Sequence, residues 1–338
     1  MAAKARYLIY FQYWGTGYSG VMKSPSHQPV LGVQNYLEAA VQRLRPVNEV
    51  NISISSRTDS GVHALCNSAH LDIQRKEGKP PFAAELLVEA LNFHLKPEPI
   101  SVLKAFRVAD DFSARFRALS RTYVYRLVTG CCHRSHLPVF ERNLCWPTAN
   151  RPLNADAMKE AAQILLGTHD FSTFRSLNSE TPFKSPLKTL LQVDLMPGFS
   201  IVSQQSFHSH LEFWELTFRS RSFLYKQVRR MTGALVAVGQ GKLMPRHIAD
   251  LLERRDSRAY PQNIIAPPDG LFLKNVEYDA TGASRYIEHF PTLPVSTGAK
   301  NSPFCLNLSD HGHLAAAPQQ LRGPASSRIS KRQVDGRV

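Results

Sequence analysis

Cysteine is scarce in this 338-residue chain, with five residues at positions 66, 131, 132, 145 and 305. An odd number of scattered thiols excludes a disulfide framework and points to a reducing compartment. Cys131 and Cys132 are adjacent, with His133 and His136 close behind. Adjacent cysteines make a poor tetrahedral pair and no second Cys-x-x-Cys exists, so Gly130–His136 is expected to be a connecting loop and no metal is expected. Long apolar runs are missing too, which excludes a membrane span or a secretory core by hydropathy. The glycines of Tyr13–Gly20 are not followed by Lys-Ser/Thr, so they form no phosphate loop. Acid is also short: 27 Asp and Glu stand against 41 Lys and Arg, and none of the 27 lies in the first 37 residues.

The resulting net charge of +14 suggests a polyanionic partner, nucleic acid before anionic membrane. Four of those charges fall after Ala283, so the body of the chain is basic in its own right. The acid-free start carries Lys4, Arg6 and Lys23, a bias that favours the mitochondrion over cytoplasm or nucleus. A strand beginning by Arg6 leaves little room for a separate presequence.

Periodicity places the elements. Arg6–Phe11, Ala69–Ile73, Ile100–Val108, Thr122–Val128, Leu190–Met196, Glu212–Arg219 and Leu271–Tyr278 read as strands. Residues 33–45, 83–95, 154–166, 222–239 and 246–256 read as helices, with Asn154 an N-cap. Ser176–Lys188 is polar and reads as a mobile loop, and residues 284–338 read as a disordered basic tail.

The chemistry concentrates at Ile54–Leu65. Val50, Ile52 and Ile54 alternate as in a half-buried strand, and then Arg57-Thr58-Asp59-Ser60-Gly61 breaks the pattern. Asp-Ser-Gly is turn chemistry. A carboxylate beside a cation serves as nucleophile, base or ion-pair strut, and on residue type alone a surface turn with a local ion pair is the simpler reading. Further on, Phe112 and Phe116 interleave with Arg115, Arg117 and Arg121, a basic and aromatic pattern that suits RNA phosphates and bases. The alternative there is a basic loop with two core phenylalanines. On Thr122–Val128, Tyr123, Tyr125 and Leu127 share one face. On the helix from Ser222, Arg229 needs an anion unless it reaches solvent, and Gly233 allows close approach of a neighbour.

Arg57-Thr-Asp59-x-Gly-Val-His63 resembles the signature loop of the TruA family of RNA pseudouridine synthases, with Ser56 and Ser60 in place of the usual Gly and Ala. Four further stretches resemble the family in the same order: the Gly-rich loop at 13–20, Asp110–Phe116 with Tyr123, Gly167–Arg175, and the Phe223–Gly233 helix. In the first of these Trp14 stands for the family's Asp, and Val21-Met22 for Trp-Gln. The likeness spans residues 6 to about 280 and is nearest to the eukaryotic tRNA pseudouridine synthase-like branch. It implies an α+β pseudouridine synthase fold: two similar lobes with mixed, mostly antiparallel sheets side by side, helices outside and a basic central cleft. The lobes would be residues 1–118 and 119–283. It also implies isomerisation of uridine in tRNA without any cofactor. Asp59 would be the nucleophile, Arg229, with Arg57, its orienting cation, and Tyr123 a base-lining group that helps remove a proton. Arg57, Tyr123, His63, Arg115 and Phe116 would bind substrate, and a homodimer is compatible. The competing expectation is an RNA-binding protein that kept the fold and lost the chemistry.

Overall fold

The computed structural model describes residues 4–131, 133–149, 152–177 and 185–279, all within one compact unit. The basic tail, the core of the Ser176–Lys188 loop and Cys132 lie outside the described residues.

The first half builds on alternation. Strand β1 (Lys4–Tyr13) buries Tyr7, Ile9, Phe11 and Tyr13 on one face and turns Leu8 to the other. It pairs antiparallel with β3 (His63–Gln74) and β4 (Ile100–Val108), and short β2 (Ile52–Ile54) pairs with the far half of β3. Helices α1 (Val33–Arg43) and α2 (Ala84–Leu95) pack on each other and cover the apolar face through Leu37, Val41, Leu87 and Leu91. At the start of α1 the Asn35 side chain accepts the Gly32 amide, so an amide left over by the helix is satisfied.

The second half repeats the plan. Strand β5 (Ala118–Thr129) pairs with β9 (Glu212–Ser220), then come β8 (Leu187–Pro197) and β7 (Gly167–Asp170), while β6 (Trp146–Ala149) runs parallel to the end of β5. Helix α3 (Ala155–Ile164) packs on α4 (Gln227–Gly239) and α5 (Pro245–Arg254). Asn154 caps α3 as expected, its Oδ1 accepting the Ala157 amide.

The halves are not two separate sheets. The last described strand, β10 (Leu271–Tyr278), enters the middle, giving the order β4-β1-β3-β10-β5-β9-β8-β7. It pairs antiparallel with β5 along most of its length, and parallel with β3 only through Phe272–His63 and Leu273–Ala64. One apolar core then runs under all five described helices, from Ala5 to Val276. The fold is α+β with an open mixed sheet.

Three readings need correction. The strand expected over 69–73 begins at His63, because His63 and Ala64 meet β10 and β1 partners that lie far off in the sequence. Gly167–Asp170, absent from the expected strands, adds an edge strand to β8. The helix expected from Ser222 starts at Gln227: Lys226 adopts a left-handed conformation (φ 55°), and the Gln227 side chain accepts the Leu224 amide. Gly233 behaves as expected. A methyl group there would stand 1.9 Å from the Ile264 carbonyl oxygen, so α4 lies directly on the 260–266 backbone. Gly233→Ala should therefore lower unfolding stability by about 1–3 kcal/mol. Urea denaturation checks this, and an unchanged midpoint would mean that the 260–266 segment gives way freely.

Candidate active site

Asp59 sits in a loop with little regular structure of its own, and other segments hold it. The Gly-rich loop lies against it main chain to main chain. Gly20 forms a β-bridge with Asp59, and the Val21 amide donates to the Thr58 carbonyl at 3.2 Å. A Cβ on Gly15 would come within 2.0 Å of the Val62 carbonyl oxygen, and Gly20 has φ +122° with the Thr58 carbonyl 2.8 Å from such a Cβ. Only glycine permits both approaches. Side chains complete the frame: the Tyr13 and Thr58 hydroxyls share a hydrogen bond of 2.7 Å, and the Asn67 amide donates to the Ser56 carbonyl at 2.9 Å. Trp14 is 62% exposed, so its replacement of the family's Asp leaves this backbone frame intact. Ser60, in place of Ala, donates from its hydroxyl to the Tyr18 carbonyl.

The cation facing Asp59 is Arg229. Its Nη1 lies 3.3 Å from Asp59 Oδ2, and both side chains are largely buried. Its Nε donates to the Ala266 carbonyl at 2.8 Å, while the Ala266 amide donates back to the Arg229 carbonyl at 3.1 Å. The guanidinium is thus aimed by its own backbone neighbourhood, and the close approach at Gly233 brings that neighbourhood within reach. Tyr125 buttresses the same segment, its hydroxyl donating to the Pro267 carbonyl at 2.6 Å. That is the packing role with one hydrogen bond that a buried tyrosine usually has.

Tyr123 is 8% exposed, stacked edge-on against Phe223 with ring centroids 5.3 Å apart. Burial first, then the nearby Tyr13 and the Asp59 carboxylate, push its hydroxyl pKa well up. A neutral, buried phenol lines the site; the shift runs against the expected role in removing a proton.

Other expected residues divide. Arg57 is exposed and makes no ion pair among the described residues, so the local Arg57–Asp59 pair is not formed. His63 is fully buried. Its Nδ1 accepts the Gly15 amide at 3.0 Å, its Nε2 donates to the Asn143 carbonyl at 2.8 Å, and its ring stacks on Phe272 at 4.6 Å. With both nitrogens engaged inside the protein, it is a strut and not a substrate contact. Phe116 is 75% exposed, with the half-buried Arg115 over its ring, whereas Phe112 is core and Arg117 pairs with Asp111. Arg121, read as a phosphate contact, is buried.

A sequence profile of the family described as tRNA pseudouridine synthase matches residues 9–117 and 161–279. The chain belongs to the tRNA pseudouridine synthase family. Its relatives include "tRNA pseudouridine synthase-like 1" of Xenopus laevis, 61% identical over 83% of this chain and 93% of that protein. The Homo sapiens protein of the same name is 54% identical over 84% and 93%. A bacterial "tRNA pseudouridine synthase A", from Hyphomonas neptunium, is 40% identical over 81% and 99%. Within the matched ranges Asp59 and Arg229 face each other, and the Asp59 carboxylate lies near the Tyr123 hydroxyl.

The buried phenols give this site a pH signature. Tyr13, beside Thr58, is pushed up to about 12 by burial, and Tyr123 is raised as well. A raised phenol supports the folded state below its unfolded pKa near 10 and withdraws that support as pH climbs past it. In ultraviolet titration, native Tyr123→Phe should show the same phenolate rise near pH 10 as wild type, with the missing tyrosine appearing only after denaturation. A smaller rise in the native variant would show that Tyr123 ionises normally.

Proposed function

We propose that this protein isomerises uridine to pseudouridine in tRNA, with Asp59 as nucleophile. The observation that carries the reading is the Asp59–Arg229 pair, joined across the sheet beside the buried face of Tyr123. The reaction breaks the N1–C1′ glycosidic bond, turns the uracil and rejoins it through C5. A carboxylate suits it, by trapping the sugar at C1′ as in retaining glycosidases or by adding to the ring. The proton on C5 must then leave, and N1 must gain one. Arg229 orients the carboxylate. Tyr123 and Phe223 offer an aromatic wall to a base that has left its stack. Exposed Arg57 and Phe116, with Arg115, stand as contacts for phosphate and base. An RNA-binding protein without chemistry would need the basic surface but not a buried Asp–Arg pair.

Two further readings belong to the proposal. Self-association is supported by Val139, Phe140, Phe199 and Ile201, all exposed on loops that Arg126 ties together by donating to Glu141 and the Phe199 carbonyl. A mitochondrial location is supported by the acid-free basic start and is tested by microscopy of the tagged chain.

Pseudouridine mapping of RNA from cells lacking the protein should show sites restored by wild type and not by Asp59→Ala. Asp59→Ala should bind tRNA nearly as well as wild type; restored sites in that variant would refute the nucleophile. Arg229→Lys keeps the charge but cannot serve Asp59 and the Ala266 carbonyl together. Its kcat should fall about 100-fold with Kd for tRNA nearly unchanged, measured by single-turnover tritium release from C5-labelled tRNA.

A further inference from the structure

Arg121 has an unusual environment for a buried cation. It makes no ion pair among the described residues, and every acceptor around it is neutral. Its Nε donates to Ser56 Oγ at 3.3 Å. Its Nη1 donates to the Arg221 carbonyl at 2.6 Å. Its Nη2 is shared by the Ser55 carbonyl at 3.3 Å, Ser55 Oγ at 3.2 Å and the Arg115 carbonyl at 2.8 Å. One planar fork thus gathers three separate segments: the end of β2 leading to Asp59, the basic and aromatic stretch before β5, and the turn before α4. Burying a guanidinium without a carboxylate is costly, and the arrangement holds because its donors meet acceptors.

Each gathered segment carries an arginine at or next to its contact point. Arg57 follows Ser55 and Ser56, while Arg115 and Arg221 supply their own carbonyls to the fork. Arg57 and Arg221 are exposed, Arg115 half-exposed, and none makes an ion pair among the described residues. The hub holds the main chain at or next to three arginines that have no ion pair among the described residues, so their charges start from neighbouring anchor points, an arrangement suited to an anion of several charges.

We infer that Arg121 is a positioning residue, a buried hub that fixes Arg57, Arg115 and Arg221 as one cationic rim for the RNA backbone, and that Arg221 is a phosphate contact. The inference rests on the RNA reading above. Arg221 is otherwise an inconspicuous residue of a turn. Losing one phosphate contact lowers the slope of log K against log salt by about 0.7–0.9, and residues that share a hub show coupled effects.

The experiment measures Kd for an unmodified tRNA transcript as a function of salt in wild type, Arg221→Ala, Arg121→Met and the double variant. Arg221→Ala should weaken binding several-fold and lower the salt slope by about one contact. In the Arg121→Met background the same change should cost under about twofold, because the rim is already displaced. Arg121→Lys keeps the charge but not the fork, and should resemble Arg121→Met. Additive effects, or full rescue by Arg121→Lys, would overturn the positioning role. If the Arg121 variants do not fold, Arg221→Ala decides alone, and an unchanged Kd and salt slope would overturn the rim. A wild-type chain that binds no tRNA would instead remove the RNA reading itself, so the two failures are distinguishable.

Discussion

The site depends on a seam only two residue pairs long. Strand β10 meets β3 in parallel at Phe272–His63 and Leu273–Ala64, and the rest of its pairing is with the other half of the sheet. His63 ends the Asp59 loop, so the seam fixes where that loop closes. The stacked His63 and Phe272 rings fill the joint, and both imidazole nitrogens are bonded within it. Asp59 enters from the first half and Arg229 from the second. Their 3.3 Å separation follows from how the halves are joined, since neither residue belongs to a strand of the seam.

Around that joint, main chain does most of the holding. The Gly15–Gly20 loop reaches the Asp59 loop through glycines that admit no side chain, and Arg229 is oriented by a carbonyl of the 260–266 segment that Gly233 lets come close. Such contacts are indifferent to the side chains nearby. Family-typical residues can therefore be absent at 14, 21 and 22 while the geometry persists, Val21 being buried and Trp14 outside. The two serines of the signature loop fit the same logic, each adding a hydrogen bond where a smaller residue would add none.

Much of this was legible in the sequence. The strands over Ile100–Val108 and Leu271–Tyr278 carried clear periodicity, Asn154 announced its helix, and the resemblance to the family's motifs pointed to Asp59, Tyr123 and Arg229, which lie near one another in the fold. What escaped depends on distance along the chain. That His63 is a strut follows from Gly15, Asn143 and Phe272, none of them its sequence neighbours. Arg121 sits in a run of arginines with the same local composition, and only tertiary hydrogen bonds separate the buried hub from the exposed rim. The shift of Tyr123 likewise comes from burial that no local pattern reports.

The position of β10 also bears on how the protein comes into being. A chain made from its N-terminus has the Asp59 loop, Tyr123 and Arg229 in hand well before Leu271–Tyr278 emerges, yet the strand that joins the two half-sheets is still missing. The Asp59–Arg229 pair therefore cannot have its final setting until this strand is in place, and a chain cut short before Leu271 would carry both residues without the seam that joins their halves.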